Sequence, residues 1–438
     1  MKKRKPTDTG LDKTVAPSSR GFTGNPGQHT GRFLVVLREG AAVRHSISTV
    51  RNLSGVSMAS ASDFSESAEH RIDTSLFFDQ LGIAVCNADP GQYASLAAAA
   101  ADEGNADILA IEPELICGTC GPDATYLRGY RDGVNDLSNR LGIDDGAERE
   151  TATAAAADES RFTWGLQATG GSTSRFSGNG IKIAVLDTGF DLRHPDFAGR
   201  RIRSRSFVGG TAQDRHGHGT HCIGTACGPQ SPAGGRPRFG IAYNSAIFAG
   251  KVLNDQGSGG DGTILQGMDW AVANGCEVIS MSLRSIGPAS AAYEAAGRRA
   301  LNAGCLVIAA AGNDSARPGR IAPVGRPANS ESVMAVAALD NRLRLAPFSN
   351  GGTANGGGKI DIAGPGVTIF STAPGGTTLV AKDGTSMATP HVAGIAALFA
   401  EARPAARGLA LKALLTQTAR ALSLPATAIG SGLVQAPQ

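Results

Sequence analysis

No stretch of about 18 consecutive apolar residues occurs in the 438-residue chain, so the sequence offers nothing that would cross a bilayer as a helix. Net charge is scarce as well. The 41 basic and 38 acidic side chains leave +3, too weak a field on this length to select an acidic partner, and no nucleic-acid-binding motif accompanies it. A secretory leader is not visible at the start. Met1-Lys2-Lys3-Arg4-Lys5 has the basic character of one, but Pro6 to Gln28 are polar and supply no apolar core segment. Three readings of that stay open: a different gene start, another export route, or a protein that works inside the cell. The cysteines, seven in all, are odd in number and do not describe a complete disulfide framework.

What is present is core. With 41% hydrophobic residues, the chain can fill one large α/β domain and a smaller unit ahead of it. Residues 1–30 are polar and rich in Gly, Pro, Ser and Thr, a composition that predicts disorder. Residues 31–116 read as a small α/β unit. A strand at Arg32–Leu37 is followed by a helix near Val43–Leu53, apolar runs at Leu76–Phe78 and Gly82–Val85, an alanine-rich helix at Gln92–Ala101, and a closing run Ile108–Pro113. Residues 117–161 carry Asp144-Asp145 and the run Thr151 to Ala157 with no apolar periodicity, which predicts an exposed linker open to proteolytic nicking. From 162 to 438, apolar strands at Ile181–Leu186, Ala246–Val252, Glu277–Ser282, Cys305–Ala310 and Val333–Ala337 alternate with helical patterns such as Gly262–Asn274 and Ser290–Ala303. That alternation predicts a parallel sheet with helices on both faces and a site beyond the carboxyl ends of its strands.

Three distant segments carry the chemistry: Val185-Leu186-Asp187-Thr188-Gly189, Gly217-His218-Gly219-Thr220-His221, and Gly384-Thr385-Ser386-Met387-Ala388-Thr389-Pro390. A seryl hydroxyl is a poor nucleophile until an imidazole removes its proton, and the imidazole needs a carboxylate to fix its tautomer. Each segment supplies one of those parts. Alone, Asp187 also reads as an ordinary strand end, and His218 as a metal ligand or a helix-start histidine.

The order Asp, His, Ser with these flanking residues resembles the subtilisin-like (subtilase) serine proteases, for which that order is a standard example. His194-Pro195-Asp196, Ala309-Ala310-Ala311-Gly312-Asn313, Ala363-Gly364-Pro365-Gly366 and Gly430 to Ala436 extend the likeness over roughly 162–436. The resemblance implies a serine endopeptidase in which His218 is the general base, Asp187 holds it, and Ser386 attacks from a helix start. Asn313 and the Ser386 backbone N–H would form the oxyanion hole. The order of elements in 31–116 resembles the ferredoxin-like inhibitory propeptide of many subtilases, which implies a self-processing zymogen; an unrelated α/β interaction module is the alternative. Extracellular action follows from the same likeness, and cytoplasmic action from the absent leader.

Substrate in that family lies as an added strand between two edges, here Gly257-Ser258-Gly259-Gly260 and Ser282-Leu283-Arg284, with Gly312 and Asp314 flanking the asparagine. Arg284 stands where the family usually has glycine, so it either lies on the rim or narrows and charges the first pocket, where Asp314 would pair with it. Calcium, a common family ion, is not expected at its usual loop, because Cys227 to Arg236 lacks carboxylates and contains arginine, a poor setting for a hard cation. No cofactor is expected otherwise. His221 and His391 match structural positions, and His216 caps or lines the loop. Cys117-Gly118-Thr119-Cys120 reads as a loop pair or a disulfide before a zinc site, Cys222 resembles the cysteine beside the histidine in one branch of the family, and Cys276 and Cys305 read as buried thiols. Partners are a protein or peptide substrate and the chain's own pro-domain. A narrow processing protease and a catalytically silent binding protein are the alternative readings.

Overall fold

Seven parallel strands form the sheet on which the larger domain is built. In the computed structural model, which describes residues 25–40, 43–56, 58–61, 75–102, 107–119, 158–352 and 358–438, the smaller unit comes first in the chain. It comprises β1 (His29–Leu37), α1 (Val43–Ser54), β2 (Ala59–Ser60), β3 (Leu76–Phe78), β4 (Ile83–Cys86), α2 (Pro90–Ala101) and β5 (Ile108–Thr119). The polar start at 1–24 and most of the expected linker, 120–157, lie outside the described residues.

The large domain follows as α3 (Trp164–Ala168), β6 (Lys182–Asp187), β7 (Ile202–Ser206), α4 (His218–Cys227), β8 (Ala246–Lys251), β9 (Ser258–Gly260), α5 (Asp261–Ala273), β10 (Val278–Met281), β11 (Leu283–Arg284) and α6 (Ala291–Asn302). After these come β12 (Leu306–Ala310), β13 (Met334–Leu339), β14 (Ile362–Pro365), the hairpin β15 (Ile369–Thr372) and β16 (Leu379–Lys382), and α7 (Thr385–Ala402). The sheet order is β14-β13-β12-β10-β6-β8-β7, parallel throughout.

Both faces of this sheet are covered, which is why its strands read as unbroken apolar runs. Side chains alternate across a strand, so Ile183 and Val185 join Ile223, Ile395 and Leu398 in one core, while Ala184 and Leu186 join Leu265, Met268 and Ala296 in another. The edge strand β7, with Ile202 its sole apolar residue, gave no such signal.

The smaller unit is a βαββαβ arrangement with an antiparallel sheet β5-β1-β4-β3, to which β2 adds in parallel. Val35, Leu37, Phe77 and Ala84 pack with Val50 and Leu96 of its own helices. From the opposite face Leu34, Val36, Phe78, Ile83 and Val85 enter the same core as Ile264, Met268 and Tyr293 of the large domain. Two carboxylates of β5 meet helix starts there. Glu112 accepts from the Ala291 N–H at 3.2 Å and the Ala292 N–H at 3.3 Å, and Glu114 accepts from the Gly262 N–H at 2.8 Å. First-turn amides have no partner within the helix, so an acceptor here answers an otherwise unmet need.

One boundary expected from sequence moves. β5 does not end at Pro113, and the linker does not begin at Cys117: the strand runs to Thr119, with Cys117 fully buried. The cause is strand pairing with the large domain, which no local pattern encodes.

Candidate active site

β6 ends at Asp187, α4 begins at His218, and α7 begins one residue before Ser386, so three element ends converge beyond the sheet. His218 Nδ1 lies 2.8 Å from Asp187 Oδ1 and 3.0 Å from Oδ2, and the Thr188 N–H donates to Oδ1 at 2.7 Å. Burial works to raise the Asp187 carboxyl, but the His218 ring and the Thr188 amide outweigh it and hold the group below the usual carboxylate range. Close approach of α4 to the strand end requires Gly219, since a Cβ there would sit 2.2 Å from the Gly189 carbonyl oxygen.

Ser386 is fully buried, and its Oγ donates to the Ser282 carbonyl at 3.3 Å. His218 Nε2 is buried and has no hydrogen-bond partner among the described residues. In this state the hydroxyl is engaged with backbone, and one imidazole nitrogen stands ready to accept a proton; catalytic hydrogen bonds commonly tighten only when substrate arrives. Ser282 Oγ in turn donates to the Ser386 carbonyl at 2.7 Å.

Asn313 follows β12. Its Oδ1 accepts from the Thr385 N–H at 2.9 Å and from Thr385 Oγ1 at 2.8 Å, which fixes the amide so that Nδ2 is its donor end. Thr385 Oγ1 also accepts from the Gly312 N–H at 3.1 Å.

Asp214 was not singled out from sequence, yet it organises the start of α4. It is buried and accepts from the N–H groups of His216, Gly217 and Thr220 and from the hydroxyls of Thr188 and Thr220, at 2.7 to 3.0 Å. A short acidic residue just ahead of a glycine and a helical run is the cue that could have found it. The His216 backbone is held here, His221 Nε2 lies 3.0 Å from the Ile369 carbonyl, and His391 Nδ1 lies 2.8 Å from the Met387 carbonyl. Burial pushes His221 down to about 3 and His391 to about 4, so both are neutral packing groups.

The expected substrate edges are occupied. β5 lies between β9 and β11 and pairs antiparallel with both: Cys117 faces Gly259, Gly118 faces Ser258 and Arg284, and Thr119 faces Leu283. The Thr119 N–H donates to the Gly257 carbonyl at 3.0 Å. Arg284 forms an ion pair with Asp314 and does not simply extend to solvent. Asp314 is further held by Asn350, which donates to Oδ2 at 3.0 Å and accepts from the Asp314 N–H at 2.7 Å.

The residues of the loop after α4 do not fit calcium. Arg236 Nη2 lies 2.7 Å from both oxygens of Asp196, whose side chain is wholly buried, and the Ala233 N–H donates to the same carboxylate at 3.0 Å. A guanidinium already neutralises the one carboxylate reaching this loop. Among the described residues, the sole grouping with metal-donor spacing is Asp187, His218 and Cys222, which is the histidine–carboxylate pair plus a thiol. Burial and nearby Asp187 push that thiol well above its usual range, so it is no competing nucleophile. Cys117 is a free buried thiol, not half of a disulfide; Cys276 and Cys305 are also free and buried. Cys120 lies outside the described residues.

The subtilase family model matches residues 178–432, more than half of the chain. The protein is a subtilase. Subtilisin Savinase of Lederbergia lenta is 40% identical over 279 residues, covering 62% of this chain and 96% of that protein. Subtilisin of Bacillus pumilus is 41% identical over 233 residues, 52% of this chain and 80% of its own. The solved structure of Sphericase aligns with a TM-score of 0.55 at 32% identity, covering 62% of this chain and 97% of that one. This subtilase is a serine-type endopeptidase acting on protein or peptide substrates, and its large domain has the subtilisin-like α/β fold.

Proposed function

We propose that this subtilase is made as a self-processing zymogen whose catalytic parts are Asp187, His218 and Ser386. In this reading His218 accepts the Ser386 proton as the hydroxyl attacks the scissile carbonyl, and returns it to the leaving amine. Asp187 holds the ring in the tautomer that leaves Nε2 free to act and stabilises the imidazolium. The Asn313 Nδ2 group and the Ser386 N–H take the developing oxyanion, and water then releases the acyl-enzyme.

The observation that carries the proposal is the occupant of the groove. Ile116–Gly118 pairs with β9 and Gly118–Thr119 with β11, as a substrate would by strand addition, and the segment ends beside Ser282, which touches Ser386. Residues 25–119 would therefore be the intramolecular inhibitor, and cleavage beyond Thr119 the maturation step. Extracellular action belongs to the same reading; among the described residues no helix is long and apolar enough to cross a membrane. The loop after α4 is proposed to work without calcium, with Arg236 in charge of Asp196.

The test uses the full chain. A fluorophosphonate probe should label Ser386, wild type should convert to a shorter form, and Ser386→Ala should stay full length. Clipping of purified Ser386→Ala at the wild-type position would sink self-processing. A restricted processing protease is the second reading, favoured by the Arg284–Asp314 pair beside the first pocket.

A further inference from the structure

The loop that carries Ser386 enters α7 through a glycine that needs outside support. Gly384 has φ of +147°, a backbone conformation that residues with a side chain rarely adopt, and it has no side chain of its own to be held by. Two bonds to the turn after β14 hold it instead. The Gly384 N–H donates to the Gly366 carbonyl at 2.8 Å, and Asp383 Oδ1, one residue earlier, accepts from the Thr368 N–H at 2.6 Å. Ser386 and its N–H follow two residues on.

Thr368 is the unusual member of that turn. Its φ of +52° lies in the left-handed region, which a β-branched residue seldom enters, and Leu343 is the one other non-glycine found there among the described residues. Conformations of this kind persist only where the surroundings over-determine them. Here the amide is taken by Asp383, and the carbonyl faces an indole: Trp164 Nε1 donates to the Val367 oxygen at 3.2 Å and to the Thr368 oxygen at 3.3 Å. Trp164 opens α3 and is 4% exposed, so its ring is itself fixed by packing. Beyond Thr368 the hairpin is anchored separately, with Ile369 facing Lys382 and the Ile369 carbonyl 3.0 Å from His221 Nε2. A relaxed Thr368 would therefore disturb Asp383 and Gly384 more than the hairpin.

A turn that served the fold alone would meet the same path at lower cost with glycine or asparagine. We infer that Trp164, Thr368 and Asp383 are positioning residues for the oxyanion site. The indole holds Thr368 left-handed, that conformation presents its amide to Asp383, and the two bonds to the turn set where Gly384, Thr385 and the Ser386 N–H stand against an attacked carbonyl. The first helix of the large domain thereby belongs to the frame of the active site, and a working enzyme must keep Trp164. The inference rests on reading Ser386 as the nucleophile.

The experiment is peptide kinetics on enzyme matured from the full chain, with rates taken per site labelled by a fluorophosphonate. Trp164→Phe keeps an aromatic ring and loses the donor, so kcat should fall about three- to tenfold, the effect of one neutral hydrogen bond, with KM within about twofold of wild type. Adding Thr368→Gly should restore most of that loss, because glycine holds the left-handed conformation with no indole on its carbonyl. Packing alone would give neither the loss confined to kcat nor the rescue. Asp383→Ala should lose as much as Trp164→Phe, and Asp383→Asn, which keeps an acceptor, should recover most of it; this pair carries the test should Trp164→Phe fail to fold. Unchanged kcat in Trp164→Phe and Asp383→Ala, a loss that falls on KM, or no rescue by Thr368→Gly would overturn the assignment while labelled Ser386 left the nucleophile reading standing. A wild type that takes no label at Ser386 would overturn that reading, and the positioning role with it.

Discussion

Replacing Thr385 by valine keeps the side-chain volume and removes one hydroxyl, and that hydroxyl is the device that aims Asn313. It donates to Asn313 Oδ1 at 2.8 Å while accepting from the Gly312 N–H at 3.1 Å. The Thr385 N–H at 2.9 Å remains to hold Asn313, so the amide is loosened, not released. A neutral hydrogen bond contributes about 0.5–1.5 kcal/mol net, and an oxyanion donor lost outright costs about 2.7–4 kcal/mol, a magnitude established on subtilisin itself and carried over here. Losing one of two holding bonds should therefore cost about 1–1.5 kcal/mol of transition-state stabilisation, or about tenfold in kcat. Asn313→Ala should cost about 10²- to 10³-fold. Steady-state kinetics on a chromogenic peptide should show both losses in kcat with KM nearly unchanged, since the ground-state carbonyl makes little use of the donor. The double variant should be no worse than Asn313→Ala alone, because Thr385 acts through Asn313. A loss confined to KM, or full additivity in the double variant, would refute this account of the oxyanion site.

Two further outcomes follow from the geometry. Arg284→Gly should admit larger side chains at the first position and free Asp314, raising relative kcat/KM for peptides with Lys or Arg there, and adding Asp314→Ser should remove that gain; an unchanged profile across wild type and both variants would place the pair away from substrate. Chelation by EDTA should leave the melting temperature of the matured enzyme unmoved if Arg236 serves Asp196 in place of a cation, whereas Arg236→Ala should lower it by several degrees, since it leaves a buried carboxylate unpaired; a large EDTA effect on wild type would contradict the proposal.

The parallel sheet was legible in the sequence because its strands are buried on both faces and read as continuous apolar runs, as Ile183 to Leu186 does. Asp187, His218, Ser386 and Asn313 were legible because each sits in a short segment with its own residue pattern. The rest depended on partners remote in sequence. Ile108–Pro113 looked like a complete closing strand, and β5 continues beyond it because its far end pairs with β9 and β11, while Glu112 and Glu114 meet the starts of α6 and α5. Asp261 fell just outside the helical pattern expected at Gly262–Asn274 and was given no role; its neighbours Cys117 and Tyr293 come from two other elements. Asp214 was passed over because its five donors are backbone and threonine groups that carry no distinctive signal.

The two carboxylates at the helix starts bear on folding kinetics. Each pairing in the large sheet joins residues far apart in the chain, Ile183 with Ile247 on one side and Val278 on the other, and such contacts are slow to form because a long loop must close before any reward arrives. The smaller unit contains one local pairing, Leu76 with Val85 across a tight turn, and it is translated first. Once formed, it presents Glu112 and Glu114 as ready acceptors for the first amides of α6 and α5, and an open strand edge for β9 and β11. Under the proposed zymogen reading, a template of that kind would lower the barrier to assembling the larger domain, and its removal would leave a protein whose return path is slow in both directions. The matured subtilase would then persist by the height of its unfolding barrier, and not only by the depth of its native well.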